Sequence, residues 1–167
     1  MPRLQERGTV AALKAGIRRR PLWLMAPVAA VVIVADQITK SVAQSDLAAG
    51  PVHVLGPLDL QLSLNTGAAF GLGTGLGLTP ILVAVGVVLV VVLFGIGRSA
   101  RSTMTTVASG LMVGGALSNL GDRLFRNNGG AVIDFIRLPH WPNFNLADSS
   151  IVVGVALLVL ANLRQAP

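Results

Sequence analysis

Four long apolar stretches divide the chain, and short polar or alternating segments separate them. Crossing about 30 Å of hydrocarbon takes roughly 20 apolar residues at about 1.5 Å of helical rise each. The first stretch runs from about Leu22 to Ile38 or a little further, and the second from about Leu78 to Ile96. The third, about Thr103 to Leu120, is richer in Gly and Ala, as suits a helix packed closely against neighbours. The fourth runs from about Ser149 to Leu163. The pattern predicts an α-helical integral membrane protein with four transmembrane helices. Period two occurs between spans one and two, where Leu58, Leu60, Leu62 and Leu64 alternate with Asp59, Gln61 and Ser63. That is the signature of a half-buried strand rather than a fifth span. A second short strand is predicted in A-V-I-D-F-I-R-L, Ala131 to Leu138, followed by the punctuated P-H-W-P-N-F. Two such strands predict a small β platform at the membrane surface, its apolar face toward lipid.

Orientation follows from the cations. Arg3, Arg7, Lys14, Arg18, Arg19 and Arg20 precede span one, Arg98 and Arg101 lie between spans two and three, and Arg164 follows span four. The opposite side carries Lys40, Arg123, Arg126 and Arg137. The positive-inside rule puts both termini in the cytoplasm. The expected organisation is a cytoplasmic basic tail, residues 1–21, and one four-span unit, residues 22–164, with outer segments at about 41–77 and 123–147. Trp23 and Trp141 fall near opposite interfaces, as an aromatic belt places them. A cleavable signal peptide is the weaker reading of the first segment, because another membrane domain follows it.

Composition narrows the chemistry. Hydrophobic residues make up 53% of the chain and charged residues only 12%, half the share usual in soluble domains. With no cysteine, there is no disulfide, thiol nucleophile or thiolate metal site, and two histidines, His53 and His140, are too few for a convincing metal centre. The net charge of +6 is concentrated beside a span, which reads as a topology signal rather than a nucleic-acid surface. No cofactor and no nucleic-acid partner are expected.

The acids are Glu6, Asp36, Asp46, Asp59, Asp122, Asp134 and Asp148, and the predicted topology puts every Asp at or beyond the outer boundary. Asp36 and Lys40 are spaced i,i+4 for a structural ion pair. Asp122 and Arg123 could pair and anchor a helix end, Asp46 and Asp59 are expected in solvent, and Asp148 could serve as an N-cap. Asp134 lies between Ile133 and Phe135 with no local partner in sequence. Two carboxylates near one surface, one in an apolar strand and one at a helix start, would share a proton if they meet. Such a pair supplies a base for water and an acid for an amide carbonyl, which is what peptide hydrolysis requires without a covalent nucleophile.

Five polar runs occur in order: D-Q-I-T-K ending at Lys40, N-T-G-A-A-F-G beginning at Asn65, S-N-L-G-D-R ending at Arg123, V-I-D-F-I around Asp134, and W-P-N-F-N-L-A-D ending at Asp148. Together they resemble lipoprotein signal peptidase (signal peptidase II), a family of four-span membrane aspartyl endopeptidases, over about residues 22–163. The resemblance implies cleavage of bacterial prolipoproteins before a cysteine that carries a diacylglyceryl group. It implies an enzyme of the bacterial cytoplasmic membrane with its active site at the extracytoplasmic face, acting as a monomer in contact with membrane lipid. Residue by residue, it assigns the catalytic pair to Asp134 and Asp148. Asn65, Asn119, Arg123 and Asn145 match residues that bind substrate or support the pair, and Asp36, Lys40 and Asp122 match positions of structural support. Three rivals remain: a proton or cation transporter, a scaffold, and a Ser–Lys signal peptidase using Lys40 with Ser41 or Ser63.

Overall fold

The computed structural model describes residues 22–67, 79–99 and 102–164. The basic tail, the second half of the N-T-G-A-A-F-G run, the glycine-rich link after it and Arg101 lie outside the described residues. A 3-10 turn at Leu22–Leu24 leads into α1, Met25–Asp46, which is followed by β1, Val52–Leu55, and β2, Leu58–Asn65. Next come α2, Thr79–Ser99, α3, Thr103–Phe125, β3, Val132–Leu138, β4, Trp141–Phe144, and α4, Leu146–Leu163.

Helix α1 runs well past Ile38. Its polar second half stays helical because hydroxyls turn back onto the preceding turn: Thr39 donates to the Ala35 carbonyl at 3.0 Å and Ser41 to that of Gln37 at 2.8 Å. Asp46 is therefore the last helical residue and not part of a loop. The helix stops before Gly50, whose φ of 140° suits only glycine, and Pro51. The extension has a structural role. Ala43 in its last turn and Leu47 just after it pack against Phe135, with Leu60, Leu62 and Ile136 around them, so the sheet rests on the end of α1. Burying the Phe135 ring stabilises that contact by about 2–3 kcal/mol.

The sheet has four antiparallel strands in the order β1-β2-β3-β4 rather than the two that the sequence pattern predicts. Gly56 and Pro57 turn β1 into β2, with Gly56 at φ 54°. Pro139 and His140 turn β3 into β4, and His140 adopts φ 60°. Period two also fails within β2. Its register against β3 shifts between Leu60 and Ser63, and Leu64 is exposed instead of continuing an apolar face. Such a bulge adds one residue and re-aims the side chains beyond it. Ser63 thereby pairs with Asp134, and Asn65 with Val132.

Helix α3 is central and packs on α1, α2 and α4. Two adjacent glycines let it approach two neighbours at backbone distance. A Cβ on Gly114 would lie 2.8 Å from the Ala29 carbonyl oxygen of α1, and one on Gly115 would lie 2.5 Å from that of Ala147 in α4. Close approach through small residues is how helices associate where lipid removes the hydrophobic drive. The outward surface is apolar, with Val31, Val34 and Ile38 of α1 and Val152 and Val159 of α4 exposed. Among the described residues, Met25–Asp46 and Leu146–Leu163 are long and apolar enough to cross a membrane, and Ile81–Ile96 is a shorter apolar stretch.

Candidate active site

The polar residues of α1, α3, β3 and α4 converge where the helices meet the sheet. The centre is Lys40, wholly buried, whose Nζ lies 2.7 Å from Asp36 Oδ2 and 2.8 Å from Asp122 Oδ2. The i,i+4 spacing of Asp36 and Lys40 thus makes the expected ion pair. The two carboxylates then reach onward. Asp36 accepts from the Ala147 backbone N–H at 2.8 Å and from Ser118 Oγ at 2.7 Å, and Asp122 accepts from the Ile133 N–H at 3.2 Å. Since α1 continues to Asp46, Asp36 sits mid-helix, level with the first turn of α4. Asp122 does not pair with its neighbour Arg123, because successive helical residues point in different directions. Its cations are Lys40 and Arg126, the latter one turn on at 3.2 Å. Arg123 instead spans the site's edge and donates to the carbonyls of Gly130 and Gly67.

Asn119 carries the network outward. Its Oδ1 accepts from Lys40 Nζ at 2.8 Å, which fixes the amide so that Nδ2 donates to Asp148 Oδ1 at 2.8 Å. Asn145 completes it. As N-cap of α4 its Oδ1 accepts from the Asp148 N–H, while its own backbone N–H donates to Asp148 Oδ2 at 3.1 Å, a reciprocal capping box. Asp148 is therefore the third residue of the helix and not the cap. The Asn145 amide nitrogen donates to Asp134 Oδ1 at 2.7 Å, and Asn65 Nδ2 donates to Asp134 Oδ2 at 3.1 Å. The bulge in β2 is what turns Asn65 to this side.

Asp134 and Asp148 line the same cavity, about 590 Å³, whose other walls are Leu82, Gly86 and Leu89 of α2, Leu120 of α3 and Ile151 of α4. It is an apolar space with a few convergent polar groups at one end, the usual make-up of a binding site. Burial pushes the Asp134 carboxyl up to about 7, and the charge of Asp148 adds to the rise; Asn65, Asn145 and Lys40 oppose it. Asp134 thus keeps its proton to higher pH than an ordinary carboxyl, so it can donate to a carbonyl or, once ionised, accept from water.

The chain is similar to known proteins over most of its length. The family profile described as Signal peptidase (SPase) II matches residues 28–164. The chain belongs to that family. It is 46% identical over 145 residues to a lipoprotein signal peptidase of Rhodococcus jostii, covering 84% of this chain and 72% of that protein. It is 39% identical over 164 residues to a lipoprotein signal peptidase of Mycobacterium tuberculosis, covering 95% of this chain and 80% of that protein. A solved bacterial membrane enzyme superposes with a TM-score of 0.74 at 29% identity, covering 84% of this chain and 87% of that one. This signal peptidase II is accordingly a protease with a membrane-enzyme fold, mostly helical with a small sheet.

Among the described residues, no serine hydroxyl of this peptidase is hydrogen-bonded to Lys40. Its ammonium is enclosed by Asp36, Asp122 and Asn119, and Ser41 Oγ donates to the Gln37 carbonyl and accepts from Arg126. Sequence reasoning overlooked Gln37 and Arg126. Gln37 Nε2 donates to Asp122 Oδ1 at 2.8 Å and to Ser118 Oγ at 3.0 Å. The i,i+4 spacing of Asp122 and Arg126 is a signal that could have found the second.

Proposed function

We propose that this peptidase cleaves diacylglyceryl-modified prolipoproteins before the lipidated cysteine, using Asp134 and Asp148 as a catalytic pair that shares one proton. The observation that carries the reading is the shared attachment of both carboxylates to Asn145 at the polar end of one apolar cavity. The ionised member takes a proton from a water molecule as its oxygen attacks the scissile carbonyl carbon. The protonated member gives its proton to the carbonyl oxygen, forming a neutral tetrahedral diol. In the collapse the protonated member gives its proton to the leaving nitrogen, the ionised member takes one from a diol hydroxyl, and the C–N bond breaks to leave an acid and an amine. One proton stays on the pair throughout, and no covalent intermediate or cofactor is involved.

Asn65, Asn119, Arg123 and Asn145 orient the carboxylates or hold the peptide backbone, and Asp36, Lys40 and Asp122 support them from beneath. The lipid chains lie in the apolar cavity or the adjoining bilayer, so binding energy remote from the bond holds it in place. On this reading α1 to α4 all cross the cytoplasmic membrane of a bacterium, with both termini inside and the sheet at the outer face. Residues 1–21 form the cytoplasmic tail, residues 22–164 the four-span unit, and the enzyme works as a monomer.

The test is cleavage by the purified protein in lipid, with precursor that does or does not carry the diacylglyceryl group. The reading expects cleavage of the modified precursor, a product beginning at the lipidated cysteine, and a rate on the unmodified precursor lower by at least about 100-fold, as loss of remote binding energy implies. Equal rates on both precursors would contradict the lipid-dependent part. Absence of cleavage of either would contradict the whole.

A further inference from the structure

The assignment of the catalytic pair leaves one partly buried cation without a role. Arg126, just beyond the end of α3, has a side chain only 17% exposed and is fully engaged. Nε lies 3.2 Å from Asp122 Oδ1, Nη2 donates to the Gln37 carbonyl, to Gln37 Oε1 and to Ser41 Oγ at 3.2, 3.1 and 3.0 Å, and Nη1 donates to Gln44 Oε1. Asp36, Lys40 and Asp122 alone would leave two carboxylates against one ammonium, all three fully buried. A buried charge without a partner is costly, and its field reaches neighbouring sites through a low dielectric.

We propose that Arg126 is a positioning residue for the reaction: it neutralises the buried cluster of Asp36, Lys40 and Asp122, and through Asp122 it fixes the start of β3, which carries Asp134. The mechanical link is short. One oxygen of Asp122 faces Arg126 and Gln37, while the other accepts from Lys40 and from the N–H of Ile133, the residue before Asp134. The guanidinium suits this task because its planar fork reaches five acceptors, on four residues of two helices, at once, which an ammonium cannot.

The electrostatic link has a defined sign. Around the pair, α1 presents Asp36 and Lys40, α3 presents Asp122 and Arg123, β3 and α4 contribute the two aspartates themselves, and β2 presents the Asn65 amide, its Asp59 being paired with His53. With Arg126 present the support cluster is neutral and the positive charge of Lys40 is felt at Asp134. Removing Arg126 makes the cluster a net anion, so the pair holds its proton more tightly and its working range moves to higher pH.

The inference rests on Asp134 and Asp148 being the catalytic pair, so the experiment includes Asp134→Asn as a reference. Cleavage of a diacylglyceryl-modified precursor is followed from pH 5 to 10 for the parent enzyme, Arg126→Gln and Arg126→Lys, with thermal unfolding in detergent alongside. Arg126→Gln is expected to lower kcat by about tenfold, the loss typical for a partner behind reactive groups, with KM little changed. Its pH profile is expected to move up by about half a unit, less than a contacting charge produces. Arg126→Lys keeps the cation and should restore the pH profile while recovering kcat only in part. A kcat and profile like the parent's in Arg126→Gln, while Asp134→Asn is inactive, would overturn this inference and leave the catalytic pair standing. Equal losses in both Arg126 variants, with unchanged profiles and parallel loss of thermal stability, would reduce Arg126 to a fold-stabilising residue and also overturn it. Activity retained by Asp134→Asn would instead overturn the assignment of the pair.

Discussion

The side-chain amide of Asn145 donates to Asp134 across 2.7 Å, joining the first turn of α4 to the middle of β3. The same residue caps α4 and holds Asp148 through its backbone N–H. One buried asparagine therefore sets the relative placement of two carboxylates that are 14 positions apart in sequence. Asn145→Ser separates its two tasks, because serine caps a helix as well as asparagine does but has no amide to donate and brings no charge to the pair. The variant should unfold within a few degrees of the parent in detergent, while kcat for precursor cleavage falls by roughly 100-fold or more. A near-parental kcat would mean that the amide does not position Asp134.

The raised pKa of Asp134 has a consequence for stability. The folded protein holds this proton up to about 7, whereas the unfolded chain releases it near 3.8. Between those values the folded state binds more protons, so the carboxyl lowers stability progressively as pH rises through the window and most fully above it. Asp134→Asn avoids the cost. It should melt at a higher temperature than the parent at pH 8, with the difference shrinking as pH falls toward 4. A difference independent of pH would argue against a buried, proton-retaining carboxyl.

Lys40 is expected to be indispensable for folding. Lys40→Met leaves Asp36 and Asp122 facing each other without their shared cation, a change that costs about 3–5 kcal/mol when one partner of a buried pair is removed. Adding Asp36→Asn should recover part of the loss, since it removes one of the two stranded charges. Thermal unfolding of the single and double variants in detergent measures both. Equal stability of the parent and Lys40→Met would contradict the buried ion-pair geometry.

Gly115→Ala tests the helix contact that holds the site together. The added methyl would meet the Ala147 carbonyl oxygen at 2.5 Å and Ser150 Oγ at 2.6 Å, one residue from Asp148. Since backbone must move, the cost should be about 1–3 kcal/mol, and the Asn119–Asp148 bond should lengthen. The expected result is lower thermal stability together with lower kcat. Gly121→Ala, where a Cβ meets no atom within 4 Å, is the matched control and should leave both measurements near parental values.

Much of this arrangement is legible in the order of residues. Hydrophobic length marks the four helices, and the Asp36–Lys40 spacing marks its ion pair. Asp134 stands out because an acid within V-I-D-F-I has no local partner. The remainder depends on information that periodicity does not hold. The bulge between Leu60 and Ser63 breaks an alternation that looks regular, because the register of β2 is set by β3 more than 60 residues later. Strands β1 and β4 are four residues each and carry prolines at or near their turns, too short for a periodic signal. Hydropathy underestimates the length of α1 because its second half is polar, yet that half is retained by packing beneath Phe135. Asn145 rather than Asp148 caps α4 because Asp148 is drawn into the box from the third helical position. Arg126 gives one local signal, its i,i+4 spacing from Asp122, while its other partners, Gln37, Ser41 and Gln44, lie on α1.

The most direct measurement is single-turnover cleavage of a diacylglyceryl-modified precursor by Asp134→Asn and by Asp148→Asn, each shown to be folded and inserted in lipid. Both substitutions keep the shape of the side chain and remove its capacity to exchange a proton. The account predicts that each variant alone loses cleavage by about 10³-fold or more, since acid and base act in the same step. Cleavage near the parental rate by either variant would contradict it.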